Sequence, residues 1–149
     1  MRRKEREVSD PKVLESIISR ANVCRLAMCE GGVPYVVPLC FGYDKGNFYF
    51  HSAIDGRKLR ALRKNSRVSF EIDIDCGLVR SGDRCSLKYR SIIGFGSASI
   101  IVTSEDKCHA LDLIMKHYHQ EPIAYPESIL MQTAIIKVEV EEMTGKMSY

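Results

Sequence analysis

Three segments of the chain carry apolar residues at intervals of three and four, which is the spacing of one buried helix face. The segments cover residues 10–22, 55–65 and 103–118. Each begins with side chains that can cap a helix, namely Asp10 before Pro11, Asp55, and Thr103 with Asp106. Their apolar stripes are Leu14, Ile17, Ile18 and Ala21, then Leu59 and Leu62, then Cys108, Leu111, Met115 and Tyr118. The pattern predicts three short helices.

Six further segments have the alternation or the composition of β-strands, and they cover residues 23–29, 33–43, 48–52, 68–75, 89–102 and 134–141. Glycine-containing turns join the first three, which predicts a three-stranded meander. Residues 77–88 are polar with glycines, so we predict a loop there, and we predict a connector over 121–127. The meander argues against a parallel sheet with alternating strands and helices. A mainly β fold is expected, a small antiparallel barrel of six strands with three peripheral helices.

Length and composition fit one compact domain over residues 1–149. Hydrophobic residues make up 45% of the chain and charged residues 28%, which excludes disordered and collagen-like classes. No apolar run approaches the ~20 residues that cross a bilayer. The basic start over residues 1–6 lacks the apolar segment of a signal peptide. We therefore expect a cytoplasmic protein that makes no membrane contact.

The cysteines of the chain do not have the spacing of a metal site. They are Cys24, Cys29, Cys40, Cys76, Cys85 and Cys108. None forms a Cys-x-x-Cys motif or pairs with histidine at zinc-ligand spacing, so no metal is predicted. Because most lie in apolar stretches, we expect buried and reduced thiols.

The start of the second predicted helix carries charge of an unfavourable sign. Arg57 and Lys58 occupy its first turn, where unpaired amides already create a positive potential. A bound anion is the usual reason for such a placement, and a phosphate would make both cations favourable. His51 and Ser52 end the preceding strand and could donate to the same anion. The segment therefore indicates an anion site.

The basic residues of this segment are also compatible with two alternatives. The run from Arg57 to Arg67 could be a solvated helix face, and the dipole of the helix end already accounts for Arg63 and Lys64. The run could also contact nucleic acid, although no aromatic residue is interleaved with it. We therefore expect no nucleic-acid partner.

A proline lies in the middle of the second predicted strand. Because Pro38 donates no ladder hydrogen bond, it restricts the strand to an edge or a bulge and can leave neighbouring amides free for a planar ligand. Protection of an edge strand against aggregation accounts for Pro38 equally well. Gly94 and Gly96 similarly indicate close backbone approach or barrel curvature.

Three motifs occur in order along the chain: Val37-Pro38-Leu39-x-Phe41-x-Tyr43, Tyr49-Phe50-His51-Ser52-Ala53-x-x-Gly56-Arg57-Lys58-Leu59, and Ser91-x-x-Gly94-x-Gly96. Over about residues 10–140 the chain resembles the FMN-binding split-barrel proteins related to pyridoxamine 5'-phosphate oxidase. It resembles most closely their 5-nitroimidazole-resistance (Nim-like) branch. The resemblance implies a six-stranded antiparallel split β-barrel, FMN as the cofactor, and a homodimer with FMN at the subunit interface.

The resemblance also implies which residues bind the cofactor: Val37, Pro38, Leu39, His51, Ser52, Ala53, Arg57, Lys58 and Ser91. Arg57 and Lys58 would hold the phosphate, and residues 51–53 would lie beside the phosphate and the ribityl chain. The backbone of residues 37–39 would lie against the isoalloxazine ring. The oxidase itself grips pyridoxal phosphate through an arginine-containing motif, which residues 143–149 lack, so vitamin-B6 oxidation is disfavoured.

The activity that the resemblance implies is reduction of a nitro-aromatic acceptor of the 5-nitroimidazole type. FMN would pass electrons from NADH or NADPH to this acceptor. His51 is the candidate catalytic residue, since histidine exchanges protons near neutral pH. A protein that carries or senses FMN without turnover is the alternative, and a nucleic-acid-binding module is a third possibility.

Overall fold

The computed structural model describes residues 3–148. Its helices are a 3-10 turn (Lys4–Arg6), α1 (Pro11–Arg20), α2 (Arg57–Lys64), α3 (Ser104–His117) and α4 (Glu127–Gln132). Its strands are β1 (Glu7–Val8), β2 (Cys24–Glu30), β3 (Val33–Leu39), β4 (Gly42–Asp44), β5 (Asn47–Ala53), β6 (Arg67–Ser81), β7 (Arg84–Ile101) and β8 (Thr133–Ser148). The predicted mainly β class with peripheral helices is confirmed.

All strands join one antiparallel sheet in the order β3-β2-β6-β7-β8-β5-β4, and β1 pairs with β8 outside this path. The sheet thus contains eight strands, so the expected count of six is not confirmed. Within residues 3–148, no ladder joins β3 to β4, and the hydrogen-bonded path stays open between these two strands.

The open sheet is nevertheless strongly curved, because the chain crosses directly from one edge strand to the other. Only Cys40 and Phe41 separate the end of β3 from the start of β4. Three peptide units span at most roughly 11 Å, so the two edges must lie close to each other. Phe41 is fully buried at this crossing. The curvature therefore encloses a core and brings residues of both edges into one neighbourhood.

The core lies inside the curved sheet and is covered by α1 and α2. Its largest fully buried side chains include Phe41, Phe48, Phe50, Phe70, Leu26, Ile72 and Ile92. α1 contributes Leu14, Ile17 and Ile18, and α2 contributes Leu59, Ala61 and Leu62. The apolar stripes predicted for these two helices therefore face the core, as one-sided helices require.

Two of the three predicted helix caps are confirmed. The Asp10 carboxylate accepts a hydrogen bond from the Lys12 amide at 2.9 Å, and the Thr103 hydroxyl accepts one from the Asp106 amide at 3.2 Å. The predicted Asp55 cap is wrong, because Gly56 precedes the first turn of α2 and no side chain caps this helix. Asp55 forms an ion pair with Arg60 at 3.5 Å instead.

Several predicted boundaries are wrong. Residues 77–88 form no loop, since β6 and β7 continue as a hairpin up to a turn at residues 82–83. The predicted strand over 33–43 is divided into β3 and β4, and no meander forms because β5 pairs with β4 and β8 rather than with β3. α4 was not predicted, and β8 extends to Ser148 rather than ending at residue 141.

The prediction of buried cysteines is correct only for Cys24. Cys29, Cys40 and Cys108 are half-buried, whereas Cys76 and Cys85 are exposed on the β6–β7 hairpin. None of the helices described over residues 3–148 combines the length and the apolar character that a bilayer crossing requires.

Candidate functional site

The N-terminal end of α2 combines free amides with positive charge. Gly56 precedes the helix with φ +141°, a conformation that side-chain-bearing residues rarely adopt. The first helical hydrogen bond runs from the Arg60 amide to the Gly56 carbonyl at 3.1 Å. The three preceding amides therefore have no partner within the helix, and no side chain caps them. The end is chemically suited to an anion.

Arg57 is directed toward the hairpin formed by β2 and β3. Its guanidinium lies 4.3 Å from the centre of the Tyr35 ring and 3.9 Å from a carboxylate oxygen of Glu30. Glu30 also pairs with Lys64 at 3.1 Å, so its charge is shared between the two ends of α2. These contacts are partly solvent-exposed, and such pairs hold a side chain weakly. Arg57 can therefore reorient toward a ligand.

Lys58 is a half-buried cation at the start of α2. No hydrogen bond or ion pair of its ammonium is found among residues 3–148. Burial lowers its pKa, and the nearby Cys40 thiol opposes this shift. An ammonium that loses water without gaining a partner is destabilised, and a bound anion would remove that cost. Lys58 is therefore the strongest indication of an anion site in the described part of the chain.

His51 and Cys40 meet beside Lys58. The Nε2 atom of His51 lies 3.1 Å from the Sγ atom of Cys40. His51 is exposed on β5, and Cys40 lies in the crossing between β3 and β4. This contact brings the end of β3, at one edge of the sheet, close to β5 near the opposite edge. We call Cys40, His51, Arg57 and Lys58 the helix-start cluster.

The remaining predicted residues of β5 lie close to this cluster. Ser52 is half-buried and opposite Ala134 of β8, and Ala53 is exposed opposite Thr133. β5 ends at Ala53, four residues before α2 begins. The short connection keeps the end of β5 near the start of α2, as the sequence predicted.

Residues 37–39 belong to an edge strand, as the proline predicted. Val37 and Leu39 are half-buried against the core, whereas Pro38 is exposed. Among residues 3–148, β3 pairs only with β2, so its other edge is free for a planar ligand. This edge leads directly into Cys40 of the helix-start cluster.

Ser91 is the predicted site residue that lies elsewhere. It occupies β7, with Asp73 of β6 and Lys146 of β8 as its register neighbours. Two strands, β2 and β6, separate β7 from β3 along the sheet. No described contact joins Ser91 to the helix-start cluster, and its role as a flavin contact stays a prediction.

Sequence reasoning missed three members of this neighbourhood: Glu30, Tyr35 and Cys40. Nothing in the local spacing pairs Glu30, in the turn after the first predicted strand, or Tyr35, in the second predicted strand, with Arg57. The strand predicted over 33–43 contains Cys40 without a break. The Phe41-Gly42 pair after it was the signal that could have indicated a break, since glycine weakens a strand.

The comparison with protein families gives a match over nearly the whole chain. The family model described as pyridoxamine 5'-phosphate oxidase matches residues 10–147. This range includes every predicted site residue and ends one residue before the last one that the structure describes.

Solved structures with similar folds extend this comparison. A candidate 5-nitroimidazole antibiotic resistance protein from Bacteroides thetaiotaomicron is 34% identical, with a TM-score of 0.87 over 94% of this chain and 85% of that one. The flavocytochrome Anf3 from Azotobacter vinelandii is 20% identical, with a TM-score of 0.83 over 100% of this chain and 72% of that one. An FAD- and heme-binding protein from Mycobacterium smegmatis is 20% identical, with a TM-score of 0.85 over 96% and 73%. The latter two show a shared fold alone.

Proposed function

Because this chain belongs to the pyridoxamine 5'-phosphate oxidase family, we propose that it is an FMN-dependent oxidoreductase. Its acceptor is a nitro-aromatic compound of the 5-nitroimidazole type, and NADH or NADPH supplies the electrons. The observation that carries the cofactor proposal is Lys58 at the uncapped start of α2, a half-buried cation with no counter-ion among the residues that the structure describes.

The residues present fit the phosphate group of FMN. A phosphomonoester carries close to two negative charges near neutral pH, as the second ionisation of phosphoserine illustrates. The helix-start cluster offers Arg57, Lys58 and the free amides of α2 to such a dianion. The space beside Gly56 is open, since a methyl group there would meet no described residue other than its chain neighbours within 4 Å, and this leaves room for the phosphate. These features support the start of α2 as the part of the site that binds the phosphate.

The other predicted residues surround the rest of the cofactor in this proposal. The free edge of β3 at residues 37–39 supports the ring, and Ser52 and Ala53 lie along the sugar-like chain. When bound, the flavin accepts electrons from a nicotinamide and passes them to the acceptor. His51 is the group in this neighbourhood that can hold or deliver a proton to the acceptor, because imidazole is the usual general acid or base of enzymes.

Two kinds of relative support the choice of cofactor and acceptor. The relative that is 34% identical is named for 5-nitroimidazole resistance, which favours a nitroimidazole as acceptor. The flavocytochrome and the FAD- and heme-binding protein share the fold and are named for flavins. FAD is the competing cofactor. FMN is preferred because a terminal phosphate suits a helix start that offers free amides, Lys58 and, after it reorients, Arg57.

An anaerobic reduction experiment tests this function. Purified protein loaded with FMN is mixed with NADH and, separately, NADPH, and the visible flavin absorbance is followed. We expect bleaching by at least one nucleotide and recovery of the absorbance when a 5-nitroimidazole is added. The matched control is the same ring without its nitro group, which should cause no recovery.

The outcomes of this experiment separate the alternatives. Flavin that binds but stays oxidised with both nucleotides would favour a carrier or sensor and contradict the reductase. Turnover of pyridoxamine 5'-phosphate in air, faster than nitro reduction, would favour the oxidase instead. A protein that binds no flavin but binds nucleic acid would make the basic helix a nucleic-acid surface.

The proposed assembly is a split barrel that pairs with a second copy of itself. The short crossing between β3 and β4 supports the split barrel. Register neighbours share one side of a sheet, and the row Val36, Ala27, Ser69, Phe95 therefore crosses its outer face. Val36, Phe95 and Ile93 are exposed there. The next row on this face contains the ion pair of Arg25 and Glu71, so the face is mixed. Its exposed apolar side chains support a homodimer, in which Ser91 of one subunit approaches the flavin of the other.

Replacing Phe95 with aspartate tests the homodimer. The unmodified protein should have twice the chain mass of 16.9 kDa by size exclusion with light scattering. Phe95→Asp should shift it to the monomer, because an aspartate in an apolar interface is left without water or a partner. Val102→Asp, at an exposed apolar residue beyond β7, is the control that should stay dimeric. A monomeric unmodified protein would rule the dimer out.

A further inference from the structure

The thiol of Cys40 differs from the other thiols of the chain in what surrounds it. Its Sγ lies 3.1 Å from the Nε2 of His51, and Lys58 lies near enough to interact with its charge. The Tyr118 hydroxyl is the third polar group at this crossing and is held by the Phe41 amide and the Asn22 carbonyl at 3.2 and 2.7 Å. A base and a cation therefore face one half-buried thiol.

The surroundings of two other cysteines make their thiols poor nucleophiles. Burial raises the pKa of Cys24 to about 12, so its thiol stays protonated. Cys76 is exposed, but its thiol donates to the Asp73 carboxylate at 2.9 Å, which raises its pKa. Cys76 is thus accessible without being activated. It provides an internal comparison for Cys40.

We propose that Cys40 is a thiol-modification site at which His51 acts as the base and small disulfides of the glutathione type are the co-reactant. A nucleophile and a base within hydrogen-bond distance are the arrangement that activates a thiol. The Lys58 ammonium adds a positive charge on the same side of the cluster as the sulfur. The proposal thereby assigns His51 a second role, in addition to its place beside the flavin.

The chemistry is a thiol–disulfide exchange. The proton of Cys40 moves to His51, and the thiolate attacks one sulfur of the disulfide. A new bond forms between Cys40 and that sulfur while the original disulfide bond breaks, and the departing thiolate takes the proton from His51. Cys40 is oxidised and the released half of the disulfide is reduced to a thiol. A reducing thiol reverses the exchange.

The adduct would regulate cofactor loading, and this consequence rests on the proposed function. Cys40 belongs to the same helix-start cluster as Lys58, so an attached glutathione occupies the space of the flavin phosphate. Its carboxylates would also neutralise the cations that the phosphate needs. Protein that carries this adduct should therefore not bind FMN until the disulfide at Cys40 is reduced.

The first test measures modification in flavin-free protein. Oxidised glutathione is added at neutral pH, and peptide mass spectrometry follows Cys40 and Cys76 in the same tube. We expect Cys40 to react about tenfold faster than Cys76. His51→Gln should remove most of this difference and leave the Cys76 rate unchanged, which also reports that the variant is folded. Equal rates in the unmodified sequence, or a Cys40 rate unaffected by His51→Gln, would overturn the proposal.

The second test measures FMN binding after full modification of Cys40. We expect at least a tenfold loss of affinity that a reducing thiol restores. The affinity of Cys40→Ser should be the same with and without oxidised glutathione. Modified protein that binds FMN as before would overturn the blocking step. Unmodified protein that binds no FMN would contradict the proposed function, whereas the rate ratio from the first test would still decide the thiol step.

Discussion

Replacing Arg57 and Lys58 together with alanine is expected to weaken FMN binding by about 3 to 6 kcal/mol, because each charge-assisted bond to phosphate contributes about 1.5 to 3 kcal/mol. Titration of flavin-free protein with FMN, followed by flavin fluorescence, measures the change. In the unbound protein Arg57 makes only partly exposed contacts to Tyr35 and Glu30. The free energy of unfolding should therefore change by less than about 1 kcal/mol.

The matched control removes the same charge from the other end of α2. Arg63 and Lys64 are exposed in its last turn, where their charge is favourable to the helix dipole. Arg63→Ala with Lys64→Ala should leave FMN affinity within about threefold of the original, since distant exposed charges are screened by salt. An equal loss in both double variants would mean that net charge attracts FMN and that the start of α2 holds no specific site.

Replacing Gly96 with alanine is expected to destabilise the fold by about 3 kcal/mol or more, because the added methyl group has no space. A Cβ at Gly96 would overlap the Glu139 carbonyl oxygen and lie 3.0 Å from Cγ1 of Val138. β7 is an interior strand with Val68 on one side and Val140 on the other, so it cannot move away from the clash. Urea unfolding of the flavin-free protein measures the effect.

Gly77→Ala is the control for this substitution. Gly77 lies on the β6–β7 hairpin, and a Cβ there would meet no atom within 4 Å. Its stability change should stay within about 0.5 kcal/mol, as for ordinary surface substitutions. The register of β7 against β8 shifts between Phe95 and Gly96. A Gly96→Ala protein as stable as Gly77→Ala would show that β7 and β8 are not tightly packed there.

The elements that were predicted well from the sequence are those with one solvent-exposed face and one buried face. The first half of β6 alternates apolar and polar side chains, and its apolar residues Val68, Phe70 and Ile72 are buried while Ile74 is half-buried. α1 and α3 begin after the caps that local hydrogen bonding requires. In such segments, the side-chain period and the cap chemistry are local properties, so a single sequence contains them.

The hairpin over residues 77–88 could not be predicted from periodicity. Its two strands are exposed on both faces, so no alternation marks a buried side. The Phe41-Gly42 pair is the one local mark of the division between β3 and β4, because no turn residues such as Asn-Gly separate the two strands. Whether a chain continues along one strand or crosses to the other sheet edge depends on long-range curvature.

The candidate site shows the same limit. Its charges were visible in the sequence because Arg57 and Lys58 are adjacent and oppose the dipole of their own helix. The contact between Cys40 and His51 was not visible, since β3 and β5 do not pair and the contact arises only where the sheet edges approach. The contact between Arg57 and Tyr35 was also not visible in the sequence, because it joins α2 to β3, which are distant along the chain.

The phosphate site at the start of α2 is tested most directly by comparing FMN with riboflavin, which lacks only the phosphate. If this helix start holds the phosphate, FMN should bind to the unmodified protein at least about 100-fold more tightly than riboflavin, as expected for two charge-assisted bonds. Arg57→Ala with Lys58→Ala should bring the two affinities close together. Equal binding of both flavins to the unmodified protein, or binding of neither, would contradict a phosphate site at this position.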